Sequence, residues 1–182
     1  MAMPRFIPTL PSDRKHLPLV VGLIVMLTAL VGVLYITHDF AKVDGDSMNP
    51  TLLSGDRMLI TKGYPSPTRG DIISFRATIS GKPDTLIKRV VAIAGDTVEV
   101  YGDRVFVNGV EPSIDNVVLI GQEQFHLGPF TIPPGQVYAM GDNRPISLDS
   151  RFIGGIPLKN IRGKIVWIFS PITRFRHIDS KG

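Results

Sequence analysis

The chain has 182 residues, of which 43% are hydrophobic, and its 20 Lys and Arg against 16 Asp and Glu give a formal net charge of +4. This small excess lacks the dense basic block of nucleic-acid binders, so no nucleic-acid partner is expected. The absence of cysteine excludes disulfides, a thiolate nucleophile and cysteine-based metal sites. The length suits one domain plus an anchor, and the 18 glycines and 15 prolines predict short strands joined by many turns.

The N-terminal region has the pattern of a membrane anchor. Residues 1–16 are Pro-rich and basic, whereas residues 17–36 contain no charged side chain. Twenty helical residues span roughly 30 Å, the thickness of a bilayer core. Because a Lys/Arg excess favours the cytoplasmic side, we expect a cytoplasmic tail at 1–16 and a single-pass anchor at 17–36 in the plasma (inner) membrane. Residues 37–182 would then form an extracytoplasmic domain.

Two other interpretations of this apolar run are weaker. A cleaved secretory signal usually has a shorter apolar core and an A-x-A-like site after it, and none follows here. A buried helix of a soluble protein would show a polar face, which this run lacks.

Ser47 lies about ten residues beyond the apolar run, in the sequence Asp-Gly-Asp-Ser-Met-Asn-Pro-Thr-Leu. Flanking Gly45 and Pro50 would present its hydroxyl rigidly, as a nucleophile requires. The same residue types also make ordinary turns, so composition alone favours a turn here.

The next segments predict strands at residues 57–61 and 71–76, a turn at 80–84, and a buried strand at 86–94. Lys88 and Arg89 interrupt this last strand. Adjacent strand residues point to opposite faces, so we expect one of the two cations to be buried and the other to reach solvent. A buried lysine has a lowered pKa and can act as a general base. The alternative is that both side chains reach solvent.

The remaining segments continue the β pattern. We predict strands at 97–101, 104–107 and 136–140, a hairpin turn at Asn108-Gly109, and an irregular insertion at about 111–134. A polar loop at 141–151 reads Gly-Asp-Asn-Arg-Pro-Ile-Ser-Leu-Asp-Ser-Arg, a turn follows at 154–157, a closing strand covers 161–169, and a surface tail follows. The fold class is therefore mainly β, with an antiparallel catalytic domain after one transmembrane helix.

Four of these segments, taken in their order along the chain, resemble the type I signal peptidases. These are membrane-bound serine peptidases of family S26 that use a Ser/Lys dyad. The resemblance rests on Ser-Met-x-Pro-Thr-Leu at Ser47, Gly-Asp-Arg-Met-Leu-Ile at 55–60, Ile-Lys-Arg-Val-Val-Ala at Lys88, and the loop at 141–151. This chain departs from the family by having Pro145 and Ile146 inside that loop, and Ala92 and Ala94 where relatives more often have Gly and Pro.

The resemblance implies acyl transfer. Neutral Lys88 would take the Ser47 proton, and Ser47 would attack the scissile carbonyl of a signal peptide to form an ester acyl-enzyme. Ser147 would hydrogen-bond and orient the Lys88 amine, Asp149 and Arg151 would form a supporting ion pair, and Asp142 would be a supporting carboxylate.

The resemblance also implies how substrate binds. The oxyanion donors would be the Ser47 N–H and the backbone at Gly45, where some relatives have a serine hydroxyl. Extended signal peptides would pair with the backbones before Ser47 and before Lys88, at Val43, Asp44, Asp46, Thr85, Leu86 and Ile87. The partners are thus signal peptides of preproteins and the lipid bilayer.

No cofactor is expected, and no metal, because the chain has no H-E-x-x-H motif and its four histidines are scattered. One alternative function is a dedicated pilin-processing peptidase of a conjugation system, with the same fold and dyad. A second is a membrane-tethered module that binds peptides without cutting them.

Overall fold

A computed structural model describes residues 16–121 and 125–180. The predicted tail lies outside these residues except for His16. The chain divides into two units between Ile36 and Thr37. The first contains helix α1 (Leu17–Thr37), which has no buried residue and is long and apolar enough to cross a membrane, judged by length and composition. The prediction of a helix at 17–36 is confirmed, and its role as an anchor stays a prediction.

The second unit is mainly β, as predicted. In chain order its strands are β1 (His38–Lys42), β2 (Arg57–Lys62), β3 (Ile72–Ile79), β4 (Lys82–Ile93), β5 (Thr97–Tyr101), β6 (Arg104–Val107), β7 (His126–Thr131), β8 (Gln136–Met140), β9 (Ile156–Pro157), β10 (Ile161–Ser170) and β11 (Arg176–His177). The larger sheet has the order β1-β2-β10-β3-β4-β8-β9, with β11 paired to β10. The smaller sheet has the order β6-β5-β7. The helical pieces are one turn each: α2 (Ser150–Ile153) and 3₁₀ turns at Arg144–Ile146, Leu158–Asn160 and Ile172–Arg174.

Burial follows the alternation of apolar residues along the strands. Three apolar clusters form the core: one under β2 and β10, one between β4, β8 and the smaller sheet, and one under β3 and β8. Apolar residues along β3 and β4 are buried in unbroken runs because both faces of the larger sheet are covered there.

Several predicted boundaries are wrong. The turn predicted at 80–84 contains only Ser80 and Gly81, whose φ values of 50° and 79° close a tight hairpin, so that Lys82 already pairs with Ile79. The predicted insertion at 111–134 contains β7, which pairs with β5 and packs Leu127 and Phe130 against the core. The predicted turn at 154–157 includes β9, paired with β8.

Two further differences concern the hairpin and the tail. Asn108-Gly109 does form a tight turn, but it joins Val107 to a single bridging residue, Val110, in place of a second strand. The predicted surface tail contains β11 and buries Ile178, so its described part packs against the domain.

Strand β4 creates the opening in which the candidate site lies. β3 pairs with it from Lys82 to Arg89, but β8 pairs only with the part that starts at Arg89. The half from Lys82 to Lys88 therefore has an edge that β8 does not cover.

Candidate active site

The Ser47 hydroxyl and the Lys88 amine meet at the opening beside β4. Lys88 Nζ lies 2.8 Å from Ser47 Oγ and 2.8 Å from the carbonyl oxygen of Ile87. Only 3% of Lys88 is exposed. This burial lowers its pKa to about 8, although the negative charges of Asp149 and Asp142 act in the other direction and raise it. A nucleophile and a base within hydrogen-bonding distance are the minimal machinery for covalent acyl transfer.

The turn that carries Ser47 is held by packing against the core and by contacts with the loop at 141–151. Met48 and Leu52 are buried in the core, and the Leu52 N–H donates to the Met48 carbonyl at 2.9 Å. The Asn143 N–H donates to the Ser47 carbonyl at 3.0 Å. Gly141 must be glycine here, because a Cβ would lie 2.5 Å from the Ser47 carbonyl oxygen. The predicted polar loop thus fixes the nucleophile turn directly.

Asp142 and Arg89 form a fully buried ion pair behind this turn. Arg89 Nε and Nη2 donate to the two Asp142 oxygens at 2.9 and 2.8 Å, and Nη1 donates to the Gly70 carbonyl at 3.0 Å. The Thr51 hydroxyl also donates to Asp142, at 2.5 Å. Asp142 therefore links β4 to the nucleophile turn through Thr51.

The prediction that one of the two adjacent cations reaches solvent is wrong. Lys88 and Arg89 do point to opposite faces of β4, but they are only 3% and 1% exposed. The physical reason is that both faces are covered at this point: the Ser47 turn faces Lys88, and the loop with Asp142 faces Arg89.

Asp149 and Arg151 form a buried, bidentate ion pair. Arg151 Nε and Nη2 donate to the two Asp149 oxygens at 2.9 and 3.0 Å. Asp149 also caps α2 by accepting from the Arg151 N–H, and it accepts from the Gly141 N–H at 3.0 Å. The pair therefore braces the backbone at Gly141, next to Asp142.

The predicted hydrogen bond between Ser147 and the Lys88 amine is absent, and this detail of the prediction is wrong for this structure. The Ser147 hydroxyl is buried and has no hydrogen-bond partner among the described residues. It packs against Gly141, where a Cβ would lie 2.2 Å from its oxygen. The Lys88 amine instead donates to Ser47 and Ile87.

A cleft of about 350 Å³ adjoins the Ser47–Lys88 pair. Its lining includes five of the six predicted substrate-binding residues: Val43, Asp44, Thr85, Leu86 and Ile87. Asp46 is not part of the lining. The backbone of Val43 is already bonded to Asp56 and Gly55, so any substrate pairing on this side must use its neighbours.

The predicted oxyanion donors lie at the same place. Gly45 lines the cleft with a φ of 87°, a conformation that favours glycine. No hydrogen bond of the described residues uses the Ser47 N–H.

Sequence reasoning missed several residues around the site. Arg144, which the quoted loop contains, is buried and donates to the Gly141 and Asp103 carbonyls at 3.0 and 2.8 Å. Arg174 and Arg176 of the tail donate to the Thr51 carbonyl. The tail arginines carry no local signal, because their partners lie more than a hundred residues earlier. Among residues 16–121 and 125–180, no group of three or more His, Asp or Glu side chains is placed to hold a metal ion.

Comparison with known proteins points to one family. The family model described as signal peptidase, peptidase S26, matches residues 15–170. A signal peptidase I of Leptolyngbya laminosa is 35% identical over 163 residues, which cover 85% of this chain and 78% of the relative. A probable signal peptidase I-1 of a Synechocystis species is 34% identical over 179 residues, covering 92% and 87%.

A crystal structure of a signal peptidase I from Enterococcus faecalis is 31% identical, with a TM-score of 0.45, and covers 54% of this chain and 96% of that one. This structural overlap is partial, so the family assignment rests on the sequence matches. The match to the family model over residues 15–170 and the identity to the Leptolyngbya relative together show that the chain belongs to the signal peptidase family, peptidase S26.

Proposed function

We propose that this chain is a membrane-anchored serine endopeptidase that removes signal peptides from exported preproteins with Ser47 as nucleophile and Lys88 as general base. The observation that carries this proposal is the 2.8 Å contact between Lys88 Nζ and Ser47 Oγ, with the amine buried and its pKa lowered to about 8. The names of the sequence relatives give the substrate class.

The reaction begins when neutral Lys88 accepts the Ser47 proton and Ser47 Oγ attacks the scissile carbonyl carbon. The Ser47 N–H stabilises the oxyanion, and the backbone at Gly45 is the candidate second donor. The protonated Lys88 then donates its proton to the leaving amine, which releases the mature protein and leaves an ester on Ser47. Neutral Lys88 next activates a water molecule that hydrolyses this ester.

Substrate binds as an added strand along the uncovered edge of β4. The Leu86 and Ile87 backbones form one wall of the cleft, and the chain before Ser47 forms the other. An extended peptide between these walls brings its scissile carbonyl to Ser47. Asp142, Asp149 and Arg151 then act as support residues that hold the dyad in place.

The anchor has the orientation predicted from the basic tail. With the N-terminus cytoplasmic and α1 crossing the membrane once, the unit from Thr37 onward lies outside the cytoplasm, where exported preproteins emerge.

The test is cleavage, in detergent, of a preprotein that carries an A-x-A site. The full-length chain should cut at that site, and Ser47→Ala and Lys88→Ala should each lose at least a hundredfold in kcat/KM while keeping the wild-type Tm or a higher one. Arg57→Ala, at an exposed position of β2 outside the cleft lining, is a control that should cleave like wild type. Cleavage by Lys88→Ala at the wild-type rate would refute the dyad. Cleavage of a pilin precursor alone would favour the dedicated peptidase.

A further inference from the structure

A second groove, which adjoins the Ser47 cleft, is lined mainly by cations. It has a volume of about 400 Å³ and is lined by Asp39, Lys62, Arg76, Lys159, Asn160, Ile161 and Arg162. Four of these side chains are positively charged, and the single carboxylate, Asp39, is paired with Arg162 at 3.1 Å. The proposed peptidase chemistry makes no use of this excess positive charge.

The place of the groove in the chain is fixed by strands β1, β2 and β10. Thr61 pairs with His38 in β1 and with Lys164 in β10, so Lys62, Asp39 and Arg162 meet where β1 begins. Asp39 is only two residues beyond the last residue of α1, Thr37. Two residues of extended chain span at most about 7 Å, so Asp39 follows the end of the helix within that length of chain.

We propose that this groove binds the phosphate headgroup of an anionic lipid, an inference that rests on the membrane anchor of the proposed function. The headgroup layer extends roughly 5–8 Å beyond each side of the hydrocarbon core, which matches the reach of the chain from Thr37 to Asp39. Asp39, one of the residues that line the groove, is therefore within reach of the headgroups when α1 spans the bilayer.

The lining suits a phosphodiester. The guanidinium groups of Arg76 and Arg162 present paired N–H donors that match phosphate oxygens, and the ammonium groups of Lys62 and Lys159 add compact charge. A lipid bound here would hold the neighbouring cleft at a fixed height above the bilayer, where a membrane-embedded signal peptide presents its cleavage site.

The experiment uses the absence of cysteine from the chain. Full-length protein with Asn160→Cys, labelled with an environment-sensitive dye, is placed in nanodiscs of phosphatidylcholine with increasing phosphatidylglycerol. We expect a saturable spectral change that salt weakens. Arg76→Gln and Lys159→Gln should each raise the half-saturating phosphatidylglycerol fraction about fivefold.

The matched control is the double variant Arg57→Gln and Arg104→Gln, which removes two exposed cations outside the groove. It should respond like wild type, and an equal loss in this control would overturn the proposal. An absent response to phosphatidylglycerol would also overturn it. So would an equal response to inorganic phosphate, or to an acidic preprotein in phosphatidylcholine discs, because the groove would then bind free anions or substrate.

Cleavage of the preprotein in the same discs separates the two proposals. A phosphatidylglycerol response without any cleavage would refute the peptidase proposal and support the groove. Cleavage without a phosphatidylglycerol response would overturn the groove and support the peptidase.

Discussion

Lys88 and Arg89 are adjacent on β4, and both are almost entirely buried, but they meet opposite surroundings. On one face of the strand, Arg89 donates to both oxygens of Asp142 and to the Gly70 carbonyl. On the other face, Lys88 donates to a hydroxyl and a carbonyl and forms no ion pair within the described residues. Equal burial therefore has different consequences, because Arg89 is in direct contact with a carboxylate whereas Lys88 is not.

The difference shows how one strand can support both structure and chemistry. A buried cation that is paired and fully hydrogen-bonded stays charged and holds its neighbours together. A buried cation without a paired charge has a lowered pKa and becomes a base near neutral pH. The assignment of Arg89 to structure and Lys88 to catalysis can be tested by exchanging or removing these partners.

The largest expected effect is on the paired face. Arg89→Met leaves the Asp142 carboxylate buried without its counter-ion, so we expect the free energy of unfolding to fall by about 3–5 kcal/mol. Differential scanning calorimetry should show a drop in Tm of roughly 10 °C. Arg57→Met removes an exposed cation of β2 and is the control. A Tm for Arg89→Met within a degree of wild type would contradict the structural role of the pair.

Substitution by methionine on the other face of β4, at Lys88, should stabilise the domain. Below pH 8 the folded state holds the protonated Lys88 amine at a cost, since its pKa is about 8 against 10.5 for an exposed lysine. This cost is about 3 kcal/mol, and losing the hydrogen bond to Ile87 offsets about 1 kcal/mol of the relief. Lys88→Met should therefore raise the free energy of unfolding by about 2 kcal/mol at pH 7 and abolish cleavage. A lower stability of Lys88→Met would mean that burying the protonated amine does not cost the folded state free energy.

The rate of cleavage should rise with pH and should not fall at any pH in the range tested. The base is the neutral amine, and with a pKa of about 8 roughly one tenth of the molecules hold it at pH 7. We expect kcat/KM to rise about tenfold between pH 7 and pH 9 and then to level off. Stability should also rise with pH, between about 8 and 10.5, because the unfolded chain binds the extra proton there. Lys88→Met should remove this stability slope, and a falling rate above pH 7 would exclude Lys88 as base.

The smallest effects on stability are expected at two buried serines, Ser147 and Ser150, which lie three residues apart. The Ser150 hydroxyl accepts from the Ala139 N–H at 3.0 Å, whereas the Ser147 hydroxyl has no partner among the described residues. Ser150→Ala should cost about 1 kcal/mol in urea denaturation, and Ser147→Ala should cost nothing measurable. Because the Ser147 hydroxyl makes no hydrogen bond to Lys88, kcat for Ser147→Ala should also stay at the wild-type value. A fall in kcat with KM unchanged would contradict this and show that Ser147 orients the amine.

Local patterns were enough to predict the helix and most strands, whereas the Ser47–Lys88 dyad was predicted from the resemblance to a known family. Apolar alternation and glycine-containing turns place β2, β5, β6 and β8 close to their observed bounds, because these signals lie within a few residues of each strand. Strand β7 was missed because its apolar residues are interrupted by Gly128 and Pro129, and its pairing with β5 bridges some thirty residues. The contacts of the tail were not predicted because its arginines bind Thr51 and Asp56, which the local sequence cannot indicate.

Neighbouring residues along the chain specify the elements and the chemical groups: an uncharged twenty-residue helix, a β-rich domain, a serine between glycine and proline, and a lysine within an apolar strand. Which side chains face each other depends on the fold. It covers both faces of β4, pairs Arg89 with Asp142, and leaves Lys88 beside Ser47. The physical reason is that hydrophobic periodicity is a property of neighbouring residues, whereas the pKa and charge of a buried group depend on partners that folding brings from distant parts of the chain.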